Sequence, residues 1–364
     1  MLENFSFEKN RRTIIIALKL PTINDFDFYN SIEEMKLLAS TLGLEVLNVF
    51  VQKKEKISPD FFIGRGKLEE VKKYIELNKI DSAIFDNELT GVQERNLEKI
   101  LGVTIFGRTE IILNIFNKRA KTNEAKLQVK LASMEYLLPR LRNRWDHFSR
   151  IEGGIGLRGG EGEKQIELDK RIIKNEIAKI KKKLSQLEIQ MDNRRKNRTN
   201  VNLVSLVGYT NAGKSSLMNF LAKSNQFVEN MLFATLDNTV RRVYINENLT
   251  ILLNDTVGFI NKLPHSLVAS FKSTLKEIVS SKLLLHVIDI SSPAMNTHIK
   301  SVEAVLQEIG ADNIPVIKVY NKIDLIDIDN YIDLNNTDNS VFISVKENIG
   351  IDRLKELIVR HFCS

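Results

Sequence analysis

Cysteine is almost missing from this chain of 364 residues: Cys363, second from the end, is its one example. That excludes an intrachain disulfide and any cysteine-based metal cluster. Long apolar runs are missing too. Apolar residues make up 43% of the chain, enough for sizeable cores, but no stretch approaches the roughly 18 uninterrupted residues that a membrane span needs. The opening MLENFSFEKNRRTIIIALKL has its charges before a short apolar run, with no small-residue cleavage site after it. It reads as a strand and not as a signal peptide. The five histidines, His147, His265, His286, His298 and His361, show no H-x₃-H spacing, which argues against a zinc site. Together these absences point to a soluble, cytoplasmic protein, and the length suggests two or three domains of roughly 150 residues each.

Glycine is scarce at 17 residues, yet six of them fall between Gly153 and Gly162, in EGGIGLRGGEGEKQ. Gly154, Gly156 and Gly159 match the dinucleotide fingerprint G-x-G-x-x-G. That pattern needs a strand before it and a ribose-binding acid about 20 residues on, and here the flanks are helical. From 127 the apolar positions run Leu127, Leu131, Met134, Leu138, Leu141, Trp145; from 166 they run Ile166, Ile173, Ile177, Ile180, Leu184, Leu187, Met191. The second series alternates steps of four and three, the repeat of a coiled-coil seam. The spacing predicts an antiparallel helical hairpin over 118–199 with the glycines at its tip. Pro139 breaks the first arm near Leu138, and the second arm, about 164–196, spans roughly 50 Å at 1.5 Å per residue. A flexible connector is the simpler account of the glycines. A tip that must approach another molecule's backbone closely, with Arg158 on it, is the functional one.

Charge is asymmetric in the same segment. Lys and Arg outnumber Asp and Glu by 22 to 11 within 118–198, while the rest of the chain carries a net −4 out of an overall +7. Such a segment suits a polyanion, either nucleic acid or an anionic membrane. A solvated helix surface fits the charge equally well, as it does the RRKNR run at 194–198.

On either side the chain is α/β. Residues 1–117 alternate strands (12–20, 44–52, 81–86, 103–107) with helices (28–42, 67–78, 92–101), which implies a small, mostly parallel sheet. Residues 200–364 do so again, with strands at 201–209, 249–256, 283–290, 314–322 and 340–345, and helices at 214–223, 265–279, 298–310 and 350–362. This reads as a doubly wound domain.

The last segment carries chemistry. GYTNAGKS, comprising Gly208, Tyr209, Thr210, Asn211, Ala212, Gly213, Lys214 and Ser215, follows a strand and opens a helix. That is the context of a phosphate-binding P-loop: backbone N–H groups turn onto phosphate oxygens, Lys214 reaches the β- and γ-phosphates, and Ser215 offers a hydroxyl to Mg²⁺. DTVG, comprising Asp255, Thr256, Val257 and Gly258, ends the next strand; an acid there suits a hydrated Mg²⁺. NKID, comprising Asn321, Lys322, Ile323 and Asp324, ends a later one. A carboxylate at Asp324 can accept from N1–H and the 2-amino group of guanine, a donor pair that adenine lacks, and Lys322 can lie along the base. Each short motif alone is weak. In this order, each at a strand end where open sheets bind ligands, they specify GTP.

The chain resembles the HflX family of ribosome-associated, Obg-like GTPases over nearly its whole length. The resemblance is carried by RTEIILNIFNKRAKTNEAKLQVKLASMEYLLPRL (108–141), GGIGLRGGEGEKQIELDKR (153–171), LFATLDNTVRR (232–242) and DTVGFINKLPHSLVASFKSTLKE (255–277). It implies a P-loop GTPase domain at 200–364 behind the N-terminal domain and the hairpin. It also implies that Phe233, Ala234, Thr235, Leu236 and Asp237 line the nucleotide and that Thr235 joins Ser215 on Mg²⁺, with Thr239 as the rival threonine. Ser344, Val345 and Lys346 would fill the last guanine-contacting loop, although the family usually has alanine where Val345 stands, and its usual GPGE becomes GGEGE here. The expected partner is the large ribosomal subunit, bound by a monomer that acts on stalled or stressed ribosomes, with the glycine tip entering an RNA-lined centre. A membrane-associated signalling GTPase whose basic arm lies on anionic lipid is the alternative; such an arm exposes a broad apolar face, whereas this seam is a narrow stripe. A second nucleotide site in the N-terminal domain has only IGRGKLEE (63–70) in its favour, which is no complete phosphate loop.

One absence bears on mechanism. Phe259 follows DTVG where many GTPases have a water-orienting glutamine. Its ring is expected either on the γ-phosphate side or packed beneath the switch with water held by backbone. Both imply slow intrinsic turnover, and no residue is assigned as catalytic base.

Overall fold

The computed structural model describes residues 11–141, 161–196, 201–223, 232–233, 236, 239–260, 277–326 and 339–363, with backbone alone for 161–166 and 191–196. It divides into two units, Met1–Lys118 with Lys126–Ser185, and Arg119–Ala125 with Gln186–Ser364.

In the first unit, β1 (Arg12–Lys19), β2 (Glu45–Lys53), β3 (Ser82–Phe85) and β4 (Thr104–Gly107) form a parallel sheet in the order β2-β1-β3-β4. The continuous apolar run of β1 suits a strand covered on both faces. Ile14, Ile16 and Leu18 pack with Leu68, Val71 and Ile75 of α2 (Arg65–Asn78) and Leu97 and Leu101 of α3 (Gly91–Leu101), while Ala17 packs with Phe28 and Ile32 of α1 (Asp25–Leu42). Local signals set the helix ends. Asn24 caps α1 through the Asp27 N–H, and Thr90 with Gln93 forms a capping box on α3.

A helix with no sequence expectation follows β4 directly: α4 (Arg108–Arg119). Ile111, Ile112, Leu113, Ile115 and Phe116 are all buried, and so are the polar residues of its first turn, Arg108, Thr109 and Glu110. Its first residue, Arg108, is fully buried and pairs with Asp86 at 2.8 Å and with Glu34; Ser31 Oγ donates to the other Asp86 oxygen at 2.7 Å.

Helix α5 (Asn123–Leu137) gives way to a 3₁₀ turn over Leu138–Arg140, the break expected at Pro139. Helix α6 runs unbroken over Glu161–Lys196, starting earlier than the sequence suggests and taking in Gly162; the tip at 153–160 lies outside the described residues. The expected seam forms: Leu127, Leu131, Met134 and Leu138 pack against Ile173, Ile177, Ile180 and Leu184. Lys130–Glu176 and Lys181–Glu135 flank it. Arg140 lies 3.7 Å over the Tyr136 ring and donates to Glu88 and to the Leu89 carbonyl, which ties the end of the first arm to the small sheet. Burial, with Glu110 nearby, pushes the Tyr136 hydroxyl well above its ordinary pKa.

In the second unit, β5 (Leu203–Gly208), β6 (Thr239–Asn246), β7 (Leu249–Asp255), β8 (Leu283–Asp289), β9 (Val316–Asn321) and β10 (Ser340–Phe342) order as β10-β9-β8-β5-β7-β6. All pairs are parallel except β6 with β7, an antiparallel edge strand that the sequence reading lacked. Helices α7 (Lys214–Leu221), α8 (Met295–Glu308) and α9 (Ile351–Cys363) complete the described layers. The helix expected at 265–279 lies mostly outside the described residues.

Removing Arg108 leaves Asp86 charged and buried without its guanidinium. Arg108→Met is expected to destabilise the protein by about 3–5 kcal/mol, and adding Asp86→Asn should recover part of that. Urea unfolding of the two variants measures it; equal loss in both would show that the pair is not what the buried network depends on.

Candidate nucleotide site

The site sits at the carboxyl ends of β5, β7, β8 and β9, and glycine is what lets the chain turn there. Gly208 ends β5 at φ +151°, where an added Cβ would lie 2.2 Å from the Val287 carbonyl oxygen. At Gly213, φ +97°, a Cβ would lie 2.2 Å from Asn321 Nδ2. Asn211 between them also takes a positive φ of 62°, which asparagine tolerates better than most residues. Lys214 opens α7 almost fully buried, its ammonium donating to the Gly208 and Tyr209 carbonyls at 3.0 and 2.8 Å. Burial pushes its pKa down to about 8, with Asp255 pulling the other way. The Tyr209 ring stacks on His298 of α8, centroids 3.7 Å apart, an arrangement no spacing rule anticipates.

Backbone bonds join DTVG to this loop. The Phe259 N–H donates to Gly208 O at 3.1 Å and the Thr210 N–H to Phe259 O at 2.8 Å. Thr256 Oγ1 donates to Leu206 O at 2.7 Å, and Val257 is half-buried. Gly258 is hemmed in: a Cβ there would meet Thr210 Cα at 2.9 Å and Lys214 Nζ at 3.0 Å. Ser215 Oγ donates to Asp255 Oδ2 at 2.6 Å, and Asp255 is buried. A serine hydroxyl beside a buried carboxylate is a hard oxygen donor set, which fits Mg²⁺. Among the described residues no group of three or more His, Cys, Asp or Glu is arranged to hold a metal.

NKID closes the other end. Asn321, 3% exposed, donates through Nδ2 to Ala212 O at 2.9 Å and accepts at Oδ1 from the Val345 N–H at 3.3 Å. One side chain thus holds the P-loop, the end of β9 and the SVK loop together. Lys322 takes φ +69° and pairs with Asp289, the last residue of β8. Ile323 is buried. Asp324 Oδ1 accepts from Ser344 Oγ at 2.6 Å, and Ser344 Oγ in turn accepts from the Glu347 N–H. Lys346 is exposed and pairs with Glu347.

The switch residues are covered only in part. Phe233, at φ +54°, and Leu236 are buried, whereas Ala234, Thr235 and Asp237 lie outside the described residues. Thr239, the rival threonine, opens β6 opposite Asp255. Phe259 requires a correction. Its ring is not directed at the γ-phosphate side but is buried with Val207, Ile278, Leu284, Val302 and Leu306. The driving term is ordinary apolar burial, so truncating it would damage packing before it reported on catalysis. Of the histidines, His286 lies buried in β8 and is pushed down to about 3 by burial.

Comparison with known proteins agrees with this geometry. Profiles described as GTP-binding GTPase N-terminal, GTP-binding GTPase middle region and 50S ribosome-binding GTPase match residues 29–117, 119–198 and 203–322. The GTPase HflX of Caldanaerobacter subterraneus subsp. tengcongensis is 46% identical over 363 residues, 99% of this chain and 82% of that one. This chain belongs to the HflX GTPase family. The Escherichia coli K12 GTPase HflX is 42% identical over 322 residues, 88% of this chain and 75% of its own length. Among solved structures, a GDP complex of SsGBP superposes with a TM-score of 0.55 at 25% identity, over 96% of this chain and 98% of that one. A GTP-binding protein of Sulfolobus solfataricus with GDP gives a TM-score of 0.51 at 24% identity, over the same shares, and shares the fold. The HflX fold thus accounts for the layers seen here, a parallel α/β sheet ahead of a P-loop GTPase domain.

The Asn321 strut gives a test. Asn321→Ala leaves the Ala212 carbonyl and the Val345 N–H without this partner, at a cost of about 1–3 kcal/mol. It is expected to weaken guanine-nucleotide binding by at least about tenfold, read by calorimetry. Unchanged affinity would mean the three loops are positioned by something else.

Proposed function

We propose that this chain hydrolyses GTP to GDP and phosphate while bound to the large ribosomal subunit, and that it acts on stalled or stressed ribosomes, splitting or rescuing them. The observation that carries the reading is that GYTNAGKS, NKID and SVK meet through Asn321, while the residue after DTVG, Phe259, bonds DTVG to the same loop at Gly208 and Thr210. We also read the chain as three functional parts: an α/β domain at 1–117, a basic helical hairpin at 118–199 and the GTPase domain at 200–364.

In this reading the backbone from Gly208 to Gly213 wraps the phosphates. Lys214 exchanges its two carbonyl partners for β- and γ-phosphate oxygens, which keeps its ammonium charged despite burial. Ser215 and Thr235 would hold Mg²⁺, with Asp255 orienting Ser215; when bound, it would supply positive charge against the developing charge on the phosphates. Thr256, Val257 and Gly258 carry the γ-phosphate side, and residues 233–237 lie along the nucleotide. Asp324 reads guanine, Lys322 lies along the base, and Ser344, Val345 and Lys346 close the base loop. Ser344 supports this directly, because its hydroxyl holds the Asp324 carboxylate in one orientation. The Phe259 ring is committed to packing, so the attacking water falls to backbone groups or to a group supplied on the ribosome, and intrinsic turnover is slow.

The lipid alternative has less support. The apolar seam of the hairpin is filled by its own two helices, which leaves the Lys and Arg surface for polyanion contact. Among the described residues no helix is long and apolar enough to cross a membrane.

Two measurements test this. Phosphate contacts release counterions, so affinity for large subunits, followed by pelleting with a GTP analogue, should fall about tenfold or more between about 50 and 200 mM salt. A flat dependence, or tighter binding to anionic vesicles than to subunits, would favour lipid. Asp324→Asn should weaken GTP binding and favour xanthosine triphosphate, whose 2-oxo group needs a donor; unchanged affinities for both would remove Asp324 from base recognition.

A further inference from the structure

Asp289 stands outside the P-loop, DTVG, NKID and SVK motifs, yet it touches one of them directly. It ends β8 and pairs in register with Asn321 at the end of β9. Its two carboxylate oxygens have different partners. Oδ1 accepts from the Ser291 N–H at 3.0 Å and from Ser291 Oγ at 2.6 Å, so the turn after β8 fixes the carboxylate plane. Oδ2 accepts from Lys322 Nζ at 2.6 Å. The two side chains are only 20% and 23% exposed, so solvent screens the pair weakly. The next residue adds a backbone tie, the Ile290 N–H donating to Asn321 O at 3.1 Å.

We propose that Asp289 is a positioning residue for guanine binding: it anchors the Lys322 ammonium so that the lysine's aliphatic stem is fixed as a platform along one face of the base. This rests on the reading of Lys322 as a base contact. Lysine has a flexible four-carbon stem, and ordering it only when nucleotide arrives would subtract from affinity. Anchoring the charged end in advance removes that cost. The ammonium also needs a charge partner where the base covers part of its solvent, and a carboxylate held by its own turn supplies one. The turn and the anchor use separate oxygens, so they can be separated experimentally. Asparagine at 289 can keep an acceptor for Ser291 while turning an amide toward Lys322 that cannot accept from the ammonium in the same way.

The test uses the full chain and four variants: Asp289→Asn, Lys322→Met, the double variant, and Ser291→Ala. GDP and a non-hydrolysable GTP analogue are titrated by calorimetry, with a melting curve for each variant and single-turnover hydrolysis at saturating GTP. Asp289→Asn is expected to weaken both nucleotides by the same factor, about tenfold, because the base end is common to both. The loss should appear in the calorimetric affinity and not in the single-turnover rate at saturating GTP, with little change in Tm. In the Lys322→Met background it should have no further effect, since the methionine stem no longer needs an anchor. Ser291→Ala should cost less than Asp289→Asn. Weakened binding in Lys322→Met with none in Asp289→Asn would overturn the proposal while leaving Lys322 on the base. Additive losses in the double variant would also overturn it, because Asp289 would then act by another route. Unchanged affinity in Lys322→Met would remove the base contact itself, and the proposal with it.

Discussion

The GTPase domain depends on one buried amide. Asn321 gives its N–H to the P-loop carbonyl of Ala212 and takes the N–H of Val345, and it can do both because it is almost completely withdrawn from water. The same Nδ2 fills the space a side chain at Gly213 would need. The glycine and the asparagine therefore require each other: a β-carbon at 213 would displace the amide, and without the amide a buried carbonyl loses its partner. Around this joint the other contacts fall into order. Ser215 meets Asp255, Phe259 zips the DTVG strand end to Gly208, and Ser344 orients Asp324. The P-loop, DTVG, NKID and SVK residues thereby come to one edge of one sheet.

A different constraint shapes the first unit. Its sheet ends in a cluster of buried charge, Arg108 with Asp86 and Glu34, while Arg140 bridges the 3₁₀ turn after α5 to Glu88. Burying charges is tolerable only when each is paired, as in the Arg108 cluster, and the half-exposed Arg140–Glu88 pair adds a tie at the end of the first arm. The arms are then held by a narrow apolar seam with ion pairs at its flanks. The apolar seam is filled by its own two helices, and the basic excess of the chain falls within 118–198.

Much of this was legible in the sequence, and the exceptions have physical causes. Strand β1 could be read because an unbroken β-branched run has few other solutions, and the hairpin because its seam alternates steps of four and three. Pro139 marked its own break. Helix α4 was missed because it starts directly after β4 with no connecting loop, and its first turn, Arg108, Thr109 and Glu110, is polar by type yet buried. Strand β6 was missed because adjacent Arg241 and Arg242 interrupt its apolar alternation and the resemblance had already absorbed its start into the LFATLDNTVRR stretch. GYTNAGKS, DTVG and NKID were each expected at a strand end, and β5, β7 and β9 do end there. Phe259 was only half legible: its inability to orient water follows from its type, but its packing against Val207 and Leu306 is a tertiary fact. Asp289 and His298 were not legible, since each acts on a motif residue from a distant stretch of chain.

With Phe259 buried in apolar packing, we propose that the site binds GTP but completes its hydrolytic geometry only on the ribosome. Single-turnover GTP hydrolysis, measured with and without purified large subunits, tests that most directly. The account predicts an intrinsic rate on the order of 10⁻² s⁻¹ or below, raised at least about tenfold by the subunits. Fast hydrolysis by the isolated protein, unchanged when large subunits are added, would contradict it and show that the catalytic group is already built into this chain.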